Sequence, residues 1–228
     1  MTASPRQLVL DLAHRQALGA EDFLVSRSNA MAVEMIDAWP SWPHPAGIVV
    51  GPQGAGKSHL ANVWRLRSGA GSVTAADLTD GQVASLEPET AIVVEDLDRG
   101  IADERALFHL LNRARESRLS VLLTSRTPPG EQEFRVPDLR SRLRALPLAE
   151  VQPPDEALLK AVLVKLFADR QLNVEPPVID YLCLRMERSM AEANHVVAAI
   201  DRLALSMRRK VTRPLAAEAL ASLGESRE

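Results

Sequence analysis

Short apolar runs and longer stretches of helical periodicity alternate along the first two thirds of the sequence. Runs of β-branched residues that are bounded by glycine, proline or polar residues predict buried strands. The strong predictions are Gly47–Val50, Ala91–Val94 and Leu119–Thr124, and the weaker ones are Val73–Ala75 and Leu146–Val151. Strands that alternate with amphipathic helices form parallel sheets covered on both faces, so the pattern predicts an α/β fold with five parallel strands.

Helical periodicity accounts for the segments between the strands and for the last third of the sequence. One helix is predicted to begin at Lys57 or Ser58, and another carries apolar positions from Ile101 to Ala114. Beyond Pro153-Pro154 the strand signals stop. Helix starts in this last part are indicated by Asp155, by Pro176-Pro177, by Ser189 with Glu192 at capping-box spacing, and near Thr212–Pro214.

These patterns divide the chain into three segments. The length of 228 residues suffices for one large domain and a small appendage. We expect a flexible N-terminal tail over residues 1–19, an α/β domain over residues 20–152 and a small all-helical lid domain over residues 153–228.

Composition and charge narrow the class of protein. A net charge of −3 does not favour a protein that coats nucleic acid, although Arg208-Arg209-Lys210 with Arg213 forms a local basic strip. A solvated helix end is the more ordinary interpretation of that strip. The single cysteine, Cys183, has the apolar neighbours typical of a buried thiol, and no Cys/His spacing indicates a structural metal. With no apolar run near 18 residues and no leader pattern, we expect a cytoplasmic protein with no membrane partner.

The most specific motif is the run Gly51-Pro52-Gln53-Gly54-Ala55-Gly56-Lys57-Ser58, which fits G-x-x-x-x-G-K-[S/T] between a strand and a helix. Its glycines allow the backbone N–H groups to surround phosphates, and the helix N-terminus adds positive potential. Lys57 is expected to neutralise charge on the β- and γ-phosphates, and Ser58 is expected to hold Mg²⁺ through its hydroxyl. The motif therefore predicts a site for ADP or ATP with Mg²⁺.

Two carboxylates follow the predicted strand Ala91–Val94, where an acidic strand end would complete such a site. Glu95 is expected in the Mg²⁺ shell, and Asp96 is expected to orient the water that attacks the γ-phosphate. The usual order is Asp followed by Asp or Glu, so Glu95 departs from it by one methylene group. A solvated turn is the alternative interpretation, and Asp98-Arg99-Gly100 directly after the pair supports it.

The motifs together resemble the DnaA branch of the AAA+ proteins over roughly residues 20–222. Gly56-Lys57-Ser58-His59-Leu60 looks like that branch's G-K-T-H-L, and Asp22-Phe23-Leu24-Val25 looks like its segment beside the adenine. Leu122–Pro129 resembles sensor 1, and Leu139-Arg140-Ser141-Arg142-Leu143 resembles the motif that carries the arginine finger, here Arg142. The resemblance implies an AAA+ P-loop core followed by a helical lid, with Phe23 and His59 beside the nucleotide.

Three positions depart from the pattern of this family. The sensor 1 register places Arg126 where an acidic or amide residue is usual. The alignment with sensor 2 places Asn194 where an arginine is usual. An alternative alignment places Glu192 at that position. Asn cannot offer charge to a γ-phosphate. Together with Glu95, these departures predict slow or absent intrinsic ATP hydrolysis, and the resemblance favours ADP as the resident nucleotide.

The N-terminal tail contains Gln7-Leu8-Val9-Leu10-Asp11-Leu12, which matches Q-L-x-L-x-L. Many bacterial proteins dock on the replicative sliding clamp through this hexapeptide. In an extended strand Leu8, Leu10 and Leu12 lie on one face, while Gln7 offers an amide for polar contacts. An ordinary strand is the commoner meaning of such a hexapeptide, but its place ahead of a DnaA-like module favours clamp binding.

A clamp motif joined to a DnaA-like module is similar to the Hda-type regulators that inactivate DnaA. The sequence ends shortly after the expected lid, so we expect no counterpart of the initiator's helix-turn-helix domain. The resemblance implies a negative regulator of replication initiation, which docks on the sliding clamp and uses Arg142 in trans to stimulate hydrolysis of initiator-bound ATP. DNA would be reached only indirectly through the clamp, and a homo-oligomer is compatible with this class. The alternatives are a remodelling ATPase or helicase loader with its own turnover, and a nucleotide-binding adaptor that does not stimulate hydrolysis.

Overall fold

A computed structural model describes residues 24–225 of the protein. The described residues group mainly into two compact units, which comprise residues 28–153 and residues from 154 onward. The first unit contains every strand of the described chain, and the second contains helices only.

The first unit is built on a parallel sheet of five strands in the order β2-β3-β4-β1-β5. The strands are β1 (Ala46–Val50), β2 (Gly71–Thr74), β3 (Ala91–Glu95), β4 (Ser120–Ser125) and β5 (Leu148–Glu150). Every pair is parallel, and at the carboxyl end of β1 residue Val50 lies opposite Ser125 on one side and Glu150 on the other. The predicted α/β fold with a five-stranded parallel sheet is therefore confirmed.

Five α-helices accompany the sheet in the described part of the first unit. They are α1 (Ala30–Asp37), α2 (Lys57–Ser68), α3 (Asp80–Ala84), α4 (Glu104–Glu116) and α5 (Pro137–Arg144). Ile101 was expected to belong to the amphipathic helix, but α4 begins only after Asp103, whose carboxylate caps it by accepting from the N–H groups of Arg105 and Ala106. The apolar faces of α3, α4 and α5 and the buried strands share one hydrophobic core.

The three tryptophans of the protein meet in one cluster beside α2. Trp64 on α2 is fully buried and stacks on Trp42 with ring centroids 5.3 Å apart. The ring of Trp39 meets Trp64 edge-on at 6.1 Å, and the indole N–H of Trp39 donates to the Ser120 hydroxyl at 3.0 Å. Aromatic pairs in these geometries stabilise beyond the area that they bury. The cluster therefore fixes α2, the helix that follows the nucleotide motif, against the segment that precedes β1.

The second unit is a bundle of four helices, α6 (Glu156–Asp169), α7 (Pro176–Arg185), α8 (Met190–Met207) and α9 (Arg213–Glu225). Two of its predicted caps are confirmed, since Asp155 accepts from the Leu158 N–H and Ser189 accepts from the Glu192 N–H. Its core is apolar and includes Cys183 on α7. Burial raises the pKa of the Cys183 thiol to about 11, which is the property of an inert, protonated side chain.

Among residues 24–225 no helix is both long enough and apolar enough to cross a membrane.

Candidate nucleotide-binding site

The loop after β1 follows a path that requires glycine at three positions. Gly54 and Gly56 adopt φ values of 76° and 107°, which residues with a Cβ rarely adopt. Gly51 is needed for a different reason, because a Cβ at this position would lie 2.2 Å from the carbonyl oxygen of Val151. The backbone of Gly51 also donates to the Ser125 carbonyl at 3.2 Å. The loop is thus seated directly on the carboxyl ends of β4 and β5.

Replacement of Gly51 by alanine is expected to lower the free energy of unfolding by about 3 kcal/mol, since the new methyl group meets backbone that has no rotamer to change. Gly81→Ala is the matched control. Gly81 lies inside helix α3 with nothing within 4 Å of an added Cβ, so this change should leave stability unchanged or slightly raised. Urea unfolding of the two variants measures the difference. Equal stability would contradict the close approach of Gly51 to Val151.

Lys57 is the first residue of α2, and its side chain returns to the loop that precedes it. Only 7% of the residue is exposed. Its ammonium group donates to the carbonyl oxygens of Gly51 at 2.6 Å and Pro52 at 2.9 Å. Burial lowers the pKa of Lys57, the nearby Arg126 lowers it further, and the negative charges of Asp98 and Asp96 act in the opposite direction. The cation is therefore held at the loop, within the electrostatic reach of two carboxylates.

The acidic end of β3 is arranged differently for its two carboxylates. Asp96 has a left-handed backbone with φ 61°, its N–H donates to the Thr124 hydroxyl on β4, and its carboxylate lies 3.3 Å from Arg99. Glu95 instead accepts from the hydroxyl of Ser72 on the outer strand β2 at 3.5 Å. Asp96 is thus the member of the pair whose charge acts on Lys57, and a role of Glu95 in the Mg²⁺ shell stays a prediction.

Asp98 is the functional candidate that the motif reasoning missed. In the sequence it only supports the alternative that Glu95 and Asp96 lie in a solvated turn, yet its side chain is 12% exposed and contacts the sensor 1 stretch. Its carboxylate accepts from the Arg126 N–H at 2.6 Å, and it lies 3.5 Å from the Arg126 guanidinium and 3.3 Å from the Ser125 hydroxyl oxygen. Asp98 is therefore part of the first unit's hydrogen-bonded structure rather than a freely solvated carboxylate. The signal available in the sequence was a carboxylate after the acidic pair together with a cation at the sensor 1 position.

The sensor 1 stretch is held by side chains within the first unit. Ser125 is fully buried, its hydroxyl donates to the Thr127 carbonyl at 2.7 Å, and it accepts from the Gln132 amide at 2.8 Å. Arg126, which follows it, carries the charge that acts on Lys57 and pairs with Asp98. Because the Ser125 hydroxyl is engaged within its own loop, Arg126 is the side chain that the sensor 1 position offers.

Arg142 lies on α5, next to α4 rather than in the loop after β1. Its guanidinium sits 4.6 Å from the centre of the Phe108 ring, a cation–π contact between the two helices. A second link joins the start of α5 to α4, because the Val136 N–H donates to the carboxylate of Glu104 at 2.8 Å. The half-buried Arg142 is therefore presented from a helix that is fixed at two points.

The remaining predicted site residues are placed as follows. Ser58 and His59 are exposed in the first turn of α2, and the exposed Gln53 lies in the loop near the buried Ala55. Asn194 belongs to α8 of the second unit, where its amide donates to the Met190 carbonyl at 2.8 Å. Phe23 and the clamp motif residues Gln7, Leu8, Leu10 and Leu12 lie outside the described residues.

These groups fit a nucleotide's phosphate chain. Lys57 is the first residue of α2 and is buried, so its positive charge adds to the positive potential that the N-terminus of a helix provides for phosphate groups. The Ser58 hydroxyl and the Asp96 carboxylate supply oxygen ligands of the kind that Mg²⁺ prefers. A glycine-containing loop between a strand of a parallel sheet and a helix that begins with a buried lysine is the arrangement of a P-loop.

Comparisons with known proteins show what the chain is similar to in sequence. Residues 155–220 match the family model described as "Hda, lid domain". The chromosomal replication initiator protein DnaA of Cutibacterium acnes is 29% identical over 99 residues, which are 43% of this chain and 20% of that protein. DnaA of Thermomicrobium roseum is 31% identical over 123 residues, or 51% of this chain and 25% of that protein. The chain thus spans about a fifth to a quarter of the length of these relatives.

Solved structures share the fold at low sequence identity. Domain III of DnaA from Thermotoga maritima superposes with a TM-score of 0.74 at 17% identity, covering 89% of this chain and 95% of that one. AMPPCP-bound DnaA from Aquifex aeolicus superposes with a TM-score of 0.68 at 19% identity, and the match covers 84% of this chain and 67% of that one. RuvB from Thermotoga maritima superposes with a TM-score of 0.68 at 14% identity, and the match covers 86% of this chain and 68% of that one.

The sheet order, the loop after β1 and these likenesses show that the chain shares the fold of DnaA domain III and RuvB. In sequence, residues 155–220 are similar to the lid domain of Hda, and about half of the chain is similar to part of DnaA.

Proposed function

We propose that the protein is a nucleotide-binding regulator of replication initiation, which docks on the sliding clamp and stimulates hydrolysis of ATP bound to the initiator DnaA. One observation carries the proposal. The phosphate cradle around Lys57 is intact, whereas the sensor 1 position of the same unit holds the Arg126–Asp98 pair. Such a site is suited to holding a nucleotide rather than hydrolysing it. The similarity to DnaA and the Hda-type lid support the initiator as the partner.

Nucleotide binding rests on the loop and the first turn of α2. The loop N–H groups and Lys57 would bind the phosphates, Ser58 with Glu95 would hold the Mg²⁺, and Asp96 would lie where it can orient an attacking water. When bound, ADP or ATP with Mg²⁺ supplies the charge that these groups are arranged to neutralise. Gly54 and Gly56 keep the N–H groups directed at the phosphates, because their left-handed backbone is available to glycine at little cost.

Slow hydrolysis in this site follows from the chemistry of Arg126. A guanidinium donates hydrogen bonds and never accepts them, so it cannot orient an attacking water through an acceptor. The carboxylate of Asp98, which could accept, is paired with the backbone N–H and the guanidinium of Arg126. Glu95, whose carboxylate meets Ser72 on the outer strand, offers no substitute in this arrangement.

Action in trans rests on Arg142. A guanidinium keeps its positive charge at every physiological pH and stabilises the charge that develops on transferred phosphate oxygens. The contact with Phe108 orients the guanidinium, and that reduces the entropy lost when it enters a partner's site. We therefore assign Arg142 as the arginine finger that the regulator offers to ATP on the initiator.

Clamp docking is tested with the hexapeptide at residues 7–12. The double variant Gln7→Ala/Leu8→Ala is expected to weaken binding to the purified clamp about 30-fold or more, because a short docking segment then loses two of its anchoring side chains. Val9→Ala/Asp11→Ala is the matched control, since in an extended strand these residues lie on the face opposite Leu8 and Leu10. Anisotropy with labelled clamp measures both. Equal affinities for the two double variants would overturn the proposed docking mode.

A remodelling ATPase with its own turnover is the second candidate, favoured by the carboxylates Glu95 and Asp96 at the end of β3 together with the intact loop around Lys57. Basal hydrolysis by the purified chain distinguishes the two. Turnover of about one per second or faster is ordinary for an enzyme and would support the second candidate. A regulator of the proposed kind should hydrolyse far more slowly in the absence of the initiator.

A further inference from the structure

The second unit carries a cleft that the nucleotide chemistry does not use. It has a volume of about 650 Å³ and lies where the loop between α6 and α7 approaches the loop between α8 and α9. Gln171, Asn173 and Glu175 line one side. The other side is the continuous segment Arg209–Arg213, which presents three cations and the Thr212 hydroxyl.

Positive charge is concentrated at this place although the whole chain is slightly acidic. No aspartate or glutamate occurs between Asp201 and Glu218 in the sequence. Arg208, Arg209, Lys210 and Arg213 are all exposed, and none of them forms an ion pair with another described residue. The single acidic group at the cleft is Glu175, so the local balance of charge remains positive.

The ring of Tyr181 lies close to Arg213 of the cleft and to one further guanidinium group, that of Arg185. Arg185 lies 4.2 Å and Arg213 lies 5.1 Å from the centre of the Tyr181 ring. Cation–π contact offsets part of the repulsion between the two cations and orders both side chains. Planar guanidinium groups bind phosphate oxygens through paired N–H donors, so an ordered set of them favours a phosphate-bearing partner.

We propose that this basic surface, formed by Arg185, Arg208, Arg209, Lys210 and Arg213, binds the phosphate backbone of duplex DNA without regard to base sequence. The cations are spread along an exposed loop and a helix end, which suits an extended polyanion better than one enclosed phosphate group. The inference deepens the proposed function, because a chain tethered to a DNA-loaded clamp lies beside duplex DNA. It replaces the expectation that DNA is reached only through the clamp.

The test is an anisotropy titration of a labelled 20-base-pair duplex, at several salt concentrations, with neither clamp nor initiator present. Arg208→Ser/Arg209→Ser/Lys210→Ser removes three cations from the basic surface. Arg105→Ser/Arg115→Ser/Arg118→Ser removes the same charge from exposed positions of the first unit and is the matched control. A thermal melt of each variant checks that both remain folded.

Wild type and control are expected to bind the duplex with the same affinity, and the surface variant about tenfold or more weakly. The slope of log affinity against log salt should fall by about 2 to 3 in the surface variant, since each lost phosphate contact contributes about 0.9. No binding by wild type, or equal loss in the two triple variants, would overturn the proposal. Binding to an acidic peptide or to anionic vesicles without DNA binding would also overturn it. Because the assay contains no clamp, a negative result here leaves the proposed regulation of the initiator to be tested separately.

Discussion

The Lys57→Ala variant is expected to bind ADP and ATP at least about 100-fold more weakly than the wild-type protein. The ammonium group of Lys57 is the cation held inside the loop after β1, where it is buried and donates to two loop carbonyls. A charged hydrogen bond contributes about 1.5–3 kcal/mol, and the ammonium group can donate to two phosphate groups at once. A 100-fold loss corresponds to about 2.7 kcal/mol, which lies within that range.

Isothermal titration with each nucleotide measures the effect, and Gln53→Ala supplies the control. Gln53 lies in the same loop with its side chain exposed, and the motif uses only its backbone. The control should therefore bind nucleotide as well as wild type. Equal weakening in both variants would show that the loop, rather than the Lys57 charge, had been disturbed.

The Arg142→Ala variant is expected to lose about 10³-fold in its stimulation of initiator-bound ATP hydrolysis, the lower end of the range known for arginine fingers. Its own nucleotide affinity should be unchanged, because Arg142 lies on α5 with its guanidinium over Phe108 on α4 rather than in the loop after β1. Single-turnover hydrolysis on the initiator, measured beside direct nucleotide titration of the variant, separates the two functions.

Two further variants test the role of Arg142. Arg144→Ala removes an exposed cation from the same helix and should preserve stimulation. Phe108→Leu removes the aromatic face beneath the guanidinium and should give an intermediate loss, because the finger keeps its charge but not its orientation. A variant at Arg144 as defective as Arg142→Ala would assign the effect to the general charge of α5 and contradict a specific finger.

Much of the fold could be predicted because the strands are short, β-branched and buried on both faces. Gly47–Val50 and Ala91–Val94 fall inside observed strands, and the lid helices begin close to their predicted caps. The helices α1, α3 and α5 were not predicted from periodicity. They span eight residues or fewer, so few positions are available to show a 3.6-residue repeat.

The candidate site was predictable where chemistry depends on neighbours in sequence and not where it depends on packing. The loop Gly51–Ser58 and the pair Glu95-Asp96 are recognisable because their residue types occur at fixed spacing in the sequence. The different surroundings of Glu95 and Asp96 and the anchoring of Arg126 by Asp98 depend on which strands are adjacent in the sheet. The low exposure of the Asp98 side chain is likewise a property of the assembled sheet, so its neighbours in the sequence did not indicate it.

The tryptophan cluster shows the same limit of local reasoning. Trp39 and Trp42 lie in a proline-rich segment and Trp64 lies on α2, so their sequence spacing has no common period. Only the return of α2 past the segment before β1 brings the three rings together. A contact of this kind follows from the topology of the chain and has no motif of its own.

The most direct test of the proposed regulation is single-turnover hydrolysis of labelled ATP preloaded on the initiator, with DNA-loaded clamp and with this protein preloaded with unlabelled ADP. Under these conditions labelled phosphate is released only by the initiator. Wild type is predicted to accelerate its release, and Arg142→Ala is predicted to leave it at the rate of the initiator without regulator. If the wild-type protein binds clamp and ADP but leaves the rate unchanged, action in trans through Arg142 is contradicted.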